Sequence, residues 1–187
     1  MYGIVFILLP MKIKLLQENI PVHQIYWQLL KNEWLWNKNT RRTENPSSPH
    51  RELDDIWVRF GEDSEGEATR PHDAKWYEAV EAIPLLKQVS LDILRLAEGT
   101  RLGGILLTRI PPGATCHPHE DNGWHANYYE KYALQITSAP GQKFCFNDEE
   151  LETKPGDLYW FENQSTHWVT NPTKYERVTL IVCVRKD

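Results

Sequence analysis

His119 and Asp121, two potential metal ligands, lie two residues apart at the end of a turn-rich stretch, Pro111–Asp121. On an extended backbone, side chains two residues apart point to the same face, so this imidazole and carboxylate can bind one cation. A second imidazole, His167, lies far along the chain and has to be brought to them by folding. Two imidazoles and one carboxylate on one face of a divalent metal leave neighbouring positions open. That arrangement suits non-haem Fe(II), which binds a co-substrate and O₂ together.

A potential carboxylate-binding pair follows His167. Arg177 and Thr179 are two residues apart in a segment with strand-like alternation, so a guanidinium fork and a hydroxyl share one face. The guanidinium can donate two hydrogen bonds to a carboxylate and balance its charge, and the hydroxyl can donate a further hydrogen bond. Each of these features alone is commonly structural, because core histidines and solvated arginines near a carboxyl terminus are frequent. Their order and spacing together indicate a metal site with an anionic ligand beside it.

His117 is a rival ligand. With His119 and His167 it would form a three-imidazole site, which suits a different metal and a different reaction. This spacing resembles part of the cupin metal motif, but the glutamate expected after His119 is missing, and Arg177 would have no task. We therefore expect His117 to lie next to the ligands rather than among them. A cupin-like metalloenzyme stays open as an alternative, as does a non-catalytic jelly-roll binding module with structural histidines.

Helices and a loop are predicted before this region. Apolar residues recur at helical spacing over residues 19–36, where Asn19 is a candidate cap. They recur again over residues 75–98, where Pro84 is expected to kink or divide the helix. The polar residues 37–51 predict a loop that lies over another part of the protein.

Short strands are predicted for the rest of the chain. After Gly103 and Gly104, alternating segments are separated by turn sequences that contain Pro and Gly. The predicted strands are residues 55–60, 105–110, 131–137, 143–147, 151–153, 157–162, 167–170 and 177–185. The pattern favours an α+β protein built on a jelly roll that N-terminal helices brace from outside. We expect one domain over residues 1–187, with 1–102 as helical support plus an edge strand and 103–187 as the jelly-roll core.

Composition narrows the possible partners and the compartment. The 187 residues are 41% hydrophobic and 25% charged, which is enough for one globular core. A net charge of −5 provides no broad basic surface for nucleic acid. The three cysteines have no paired spacing and predict buried, reduced thiols in a cytoplasmic protein. They are Cys116, Cys145 and Cys183.

The first apolar run, Tyr2–Leu9, is too short to cross a bilayer and lacks the preceding basic residue of a secretory signal. No other run is long enough for a membrane. Met11 opens an alternating segment, Met11–Leu16, that predicts an edge strand. We therefore hypothesise that Met11 is the natural start of the chain.

Five segments of the second half resemble, in their order, those of one known family. They are Pro111–Asp121, Lys131–Ile136, Lys154–Asn163, His167–Asn171 and Glu176–Leu180. The set is similar to that of the aspartyl/asparaginyl β-hydroxylase family of Fe(II)/2-oxoglutarate-dependent oxygenases, and the compact chain resembles its phage-borne members. The resemblance covers roughly residues 103–184.

The resemblance implies a double-stranded β-helix with iron at its open end. It implies that His119, Asp121 and His167 are the iron ligands, and that Arg177, with Thr179 beside it, binds the distal carboxylate of 2-oxoglutarate. It further implies that 2-oxoglutarate and O₂ are consumed to hydroxylate an unactivated C–H, with succinate and CO₂ as products. The cupin-like alternative would use no 2-oxoglutarate.

Two departures from the family pattern concern the same site. The animal hydroxylases that give the family its name lack the carboxylate ligand that Asp121 provides here. They also carry an Arg-x-His pair in the middle strand, where this chain has Lys131 and Ala133. We take Lys131 as the candidate for a further co-substrate contact.

The loop after Asp121 is expected to meet the substrate. Its candidate residues are Asn122, Trp124, His125 and Tyr128. An acidic surface and an aromatic-rich entrance favour a peptide, protein or amino-acid substrate over DNA.

Overall fold

Two antiparallel sheets face each other in the computed structural model, which describes residues 11–61 and 72–187. The strands are β1 (Ile13–Gln17), β2 (Asp54–Phe60), β3 (Lys75–Trp76), β4 (Arg101–Ile110), β5 (Thr115–His119), β6 (Glu130–Thr137), β7 (Lys143–Phe146), β8 (Glu150–Leu151), β9 (Leu158–Phe161), β10 (His167–Thr170) and β11 (Arg177–Arg185). The helices are α1 (His23–Lys31), α2 (Ala79–Ala82), α3 (Leu85–Leu96) and α4 (Gly123–Tyr128), and Glu33–Leu35 form one 3₁₀ turn.

Within the described ranges, the larger sheet has the order β1-β9-β6-β11-β4-β2-β3, and the smaller sheet has the order β5-β10-β7-β8. This is the expected double-stranded β-helix, with helices outside the larger sheet. Strands β1, β2 and β3 show that the first hundred residues contribute to the sheet as well as to its helical support. The single domain over residues 1–187 stays a prediction.

Alternation along β11 separates two environments. Val178, Leu180 and Val182 are buried in a core that the larger sheet shares with α1 and α3. Arg177 and Thr179, one residue out of phase, line a pocket between the two sheets. Because side chains alternate with a period of two, a shift of one residue in the pairing would place the guanidinium in the helix-facing core.

The helices are shorter than the sequence predicts. Asn19 has a left-handed φ of 60° and does not cap the helix, so α1 begins only at His23. Pro84 divides the second predicted helix into α2 and α3, as expected, but Lys75–Trp76 pairs with β2 as a strand instead of joining the helix.

Strand β4 begins earlier than predicted, at Arg101, and runs through Gly103 and Gly104. These glycines allow a close approach of aromatic rings rather than a turn. A Cβ on Gly103 would lie 2.8 Å from Tyr129, and one on Gly104 would lie 2.7 Å from Phe60.

Two further predictions, the position of β1 and the state of the cysteines, are confirmed. Strand β1 lies at an edge of the larger sheet, and Cys116, Cys145 and Cys183 are free and buried. In the part of the chain that the structure describes, no helix is long and apolar enough to cross a membrane. The apolar run Tyr2–Leu9 and residues 62–71 lie outside the described residues.

Candidate metal centre and its two cavities

Pairing of β5 with β10 brings two distant histidines together. His119 and His167 are directly opposite in the register, and their ring centroids are 4.4 Å apart. Each ring is held by the carbonyl two residues before it: His119 Nδ1 is 2.7 Å from His117 O, and His167 Nδ1 is 2.9 Å from Ser165 O. A carbonyl only accepts, so each Nδ1 donates, and each neutral ring keeps Nε2 as a free metal ligand.

Asp121 completes the set just after β5. Its backbone N–H donates to Asn163 O at 2.9 Å, which fixes the turn that carries the carboxylate. Potential ligand atoms of His119, Asp121 and His167 all lie within 4.8 Å of one another. Two imidazole nitrogens and one carboxylate oxygen form a donor set that suits a divalent first-row metal, with positions left over for other ligands.

The protonation states favour metal binding. Burial lowers the pKa of His167 to about 4, and burial also lowers the pKa of His119, so both rings are neutral near pH 7. Burial alone would raise the pKa of Asp121, but the Lys131 ammonium, which is hydrogen-bonded to it, holds that pKa below its ordinary value. All three side chains are therefore in the protonation state that a metal requires.

Lys131 lies beside this carboxylate. From β6, its Nζ donates to Asp121 Oδ2 at 2.5 Å, and both side chains are largely buried. Ala133, two residues further on the same face, offers no polar group. The ammonium therefore supplies a positive charge at the edge of the metal centre.

Arg177 occupies a pocket between the two sheets, which we call the inner pocket. Its guanidinium is 2% exposed and donates to Thr179 Oγ1 at 3.0 Å and to the hydroxyls of Thr153 and Tyr159 at 3.3 Å. Among the described residues, no carboxylate lies within ion-pair distance of it, and its Nε has no hydrogen-bond partner. The same pocket is lined by His119, Asp121, Lys131, His167, Phe144 and Phe161.

A second cavity of about 340 Å³, the outer cleft, adjoins the metal centre on the other side. Aromatic rings line part of it, including Trp57, Phe60 and His125. Five residues line both cavities and so form the boundary between them. They are Arg42, His50, Asp121, Lys131 and Ile181.

The structure divides the predicted substrate residues between two places. Asn122 and His125 line the outer cleft. Trp124 and Tyr128 line a separate, open surface groove together with Arg101. His125 also has a structural contact, because its Nε2 accepts the Gly104 N–H at 3.1 Å.

His117 points away from the metal centre. Its Nε2 is 2.6 Å from Glu52 Oε1, and its ring lines neither cavity. What it contributes to the site is its backbone carbonyl, the acceptor for His119. In the described ranges, one other group of potential metal ligands is present, formed by His50, Cys116 and His119. Because His119 Nδ1 is already bonded to His117 O, this group would have to use the same Nε2 of His119 as the group with Asp121 and His167.

Arg42 and His50 are the site residues that the sequence does not reveal. Both lie in the predicted loop 37–51, where no periodicity marks one residue over another. The His50 ring contacts His119 edge-on at 4.6 Å between centroids, and its Nδ1 is 3.3 Å from Cys116 Sγ.

Tyr159 is a further site residue that the sequence analysis missed. It could have been predicted, because alternation in β9 places it on the same face as Phe161.

Comparison with known proteins gives one family and several similar folds. A family model for aspartyl/asparaginyl β-hydroxylase matches residues 25–187. An oxidoreductase of the 2OG-Fe(II) oxygenase family from Burkholderia pseudomallei has a TM-score of 0.55 at 14% identity, over 71% of this chain and 66% of that one. A prolyl-4-hydroxylase from Pseudomonas putida has a TM-score of 0.50 at 16% identity, over 94% and 93%. At these identities the similarity concerns the fold. No curated protein matches the sequence.

Proposed function

Because this chain belongs to the aspartyl/asparaginyl β-hydroxylase family of oxygenases, we propose that it is an Fe(II)/2-oxoglutarate-dependent dioxygenase. Its substrate would be a polypeptide or an amino acid, hydroxylated at an unactivated C–H. His119, Asp121 and His167 would hold the iron, and Arg177 with Thr179 would hold the distal carboxylate of 2-oxoglutarate.

The observation that carries this proposal is the unpaired guanidinium of Arg177. A buried charge is costly unless an opposite charge and hydrogen bonds compensate for it. The hydroxyls of Thr153, Tyr159 and Thr179 satisfy donors but carry no negative charge. A carboxylate ligand would supply that charge, and the pocket that would receive it also contains the three potential metal ligands.

The donor set fits the proposed metal. Fe(II) accepts imidazole nitrogen and carboxylate oxygen, and a site with three protein ligands leaves room for a chelating co-substrate and O₂. When bound, the metal with 2-oxoglutarate and O₂ supplies the oxidising chemistry, with succinate and CO₂ as co-products.

The chain itself contributes position and a dry pocket. The two carbonyl-bound imidazoles keep Nε2 aimed at one point, and Asp121 stays anionic. Phe144 and Phe161 contact the His167 ring at centroid distances of 5.7 and 5.5 Å and exclude water from it. The outer cleft would seat the substrate against Trp57 and Phe60.

Turnover measurements test this function. Protein loaded with Fe(II) should convert 2-oxoglutarate to succinate in the presence of O₂, and one member of a panel of peptides and free amino acids should gain one oxygen. Arg177→Met should lose succinate formation at 2-oxoglutarate concentrations that saturate the wild type. Folded, iron-loaded protein that forms no succinate would contradict the proposal.

A further inference from the structure

We propose that Arg42, which lines the inner pocket from the loop outside the β-helix, binds the metal-proximal carboxylate of 2-oxoglutarate. This inference rests on the proposed function and assigns a second cationic contact for the co-substrate.

Arg42 is oriented by a buried carboxylate. Its Nε and Nη2 donate to the two oxygens of Asp55 at 2.8 and 2.9 Å, and Asp55 is 0% exposed. A guanidinium bound side-on in this way is planar and fixed, so the direction of its remaining N–H groups is fixed too. The structure shows no hydrogen bond from Nη1 to another described residue, and Arg42 lines both the inner pocket and the outer cleft.

The loop that carries Arg42 is itself anchored. Ser48 Oγ donates to Arg42 O at 2.5 Å and accepts the His50 N–H at 3.1 Å. The His117 N–H, next to the metal centre on β5, donates to Pro49 O at 2.9 Å. The guanidinium is therefore held in place before any ligand arrives, which reduces the entropic cost of binding.

The donors that remain free lead to the same residue. 2-Oxoglutarate carries two carboxylates, and Arg177 would bind only the distal one. The Lys131 ammonium is already bonded to Asp121 at 2.5 Å. Arg42 is the third described cationic residue that lines the inner pocket. Asp55 balances its charge but binds only Nε and Nη2, so Nη1 can still donate to a ligand.

Two 2-oxo acids separate the roles of the two arginines. 2-Oxobutanoate has the metal-proximal carboxylate but no distal one. Anaerobic protein with Fe(II) is titrated with each acid, and the metal-to-ligand charge-transfer absorbance reports binding without turnover. Because Arg42→Met alone would leave Asp55 buried without a partner, the working variant is the double substitution Arg42→Met with Asp55→Asn. The controls are Asp55→Asn alone and Arg41→Met, a neighbour that lines only the outer cleft.

The double variant should bind both acids about 10- to 100-fold more weakly than the wild type, as loss of a charge-assisted hydrogen bond requires. Arg177→Met should weaken only 2-oxoglutarate, and Arg41→Met should weaken neither. If the double variant binds both acids as the wild type does, Arg42 does not touch the co-substrate and this inference is overturned. If the wild type shows no charge-transfer band at all, the proposed function itself fails.

Discussion

His119 and His167 lie directly opposite each other on β5 and β10, and each imidazole donates its Nδ1–H to the carbonyl two residues before it. Strand pairing thus fixes the distance between the two rings, and the local carbonyls fix which nitrogen is free. Both constraints come from backbone hydrogen bonds, so the ligand geometry is set by the fold and does not depend on a bound metal.

Removal of the metal should therefore leave the protein folded. We expect chelator-treated protein to keep its near-UV and far-UV circular dichroism. Added Fe(II) or Mn²⁺ should raise Tm by a few degrees, because a ligand that binds only the native state stabilises it by mass action. Loss of the near-UV signal on chelation would show that the metal organises the site.

Replacement of Arg177 by Met should cost function but little stability. The side chain has no carboxylate partner among the described residues, and an apolar side chain of similar volume removes the cost of burying a charge. We expect the free energy of unfolding to change by no more than about 1 kcal/mol, while the apparent requirement for 2-oxoglutarate rises about 100-fold. Denaturant unfolding and 2-oxoglutarate titration measure the two effects. A large loss of stability with an unchanged requirement would make Arg177 a structural residue.

Asn171 should show the opposite behaviour. Its buried Nδ2 contacts the carbonyl oxygens of Ile110, Pro111 and Tyr175 at 2.7–3.0 Å, and its Oδ1 accepts from Gln142. Asn171→Ala leaves several buried polar groups without partners and should destabilise the protein by about 2–4 kcal/mol.

Asn171→Asp provides the matched control, because it keeps the shape and the acceptor but loses the donor. It should be destabilised to a similar degree. Iron binding per folded molecule should stay unchanged in both variants, and a loss of iron binding in folded protein would place Asn171 among the ligands.

His125 should make stability depend on pH. Burial, followed by the Lys131 ammonium, lowers its pKa to about 4, and its Nε2 accepts the Gly104 N–H in the neutral state. The unfolded state, with a pKa near 6.5, binds a proton first as pH falls. The stability that the folded protein gains from keeping His125 neutral is fully present above about pH 6.5. It is lost as the pH falls towards 4.

His125→Gln keeps an acceptor without a titrating group. We expect the wild type to lose about 2–3 kcal/mol more stability than this variant between pH 7 and pH 4. Thermal melts of the metal-free proteins at several pH values measure the difference. Identical pH slopes for the two proteins would contradict this assignment.

Local patterns predicted most of the sheet. Alternation located β6, β10 and β11 within a residue. The two-residue spacing predicted that His119 and Asp121 lie close together, although β5 ends at His119 and Asp121 follows it in a turn. The predicted start of β4, at residue 105, was wrong. Two consecutive glycines usually indicate a break between elements, but Gly103 and Gly104 lie within this strand and leave room for the rings of Tyr129 and Phe60.

The sequence could not predict that Arg42 and His50 of the loop 37–51 contribute to the site. Arg42 and His50 lie in a segment without periodicity, and their positions depend on tertiary contacts with Asp55 and Cys116. Neither contact is encoded by spacing along the chain. For His117, the sequence analysis expected a place outside the ligand set but did not identify Glu52 as the partner that turns its ring away from the metal centre.

One measurement tests the central proposal most directly: anaerobic addition of Fe(II) and then 2-oxoglutarate to wild type, Asp121→Asn and Glu120→Gln, followed by visible absorbance. Glu120 is the matched control, since its carboxylate is adjacent in sequence but accepts from Thr166. We predict a metal-to-ligand charge-transfer band in the wild type and Glu120→Gln, and a loss of most of it in Asp121→Asn. A wild type without the band, or a full band in Asp121→Asn, would contradict an iron site built from His119, Asp121 and His167.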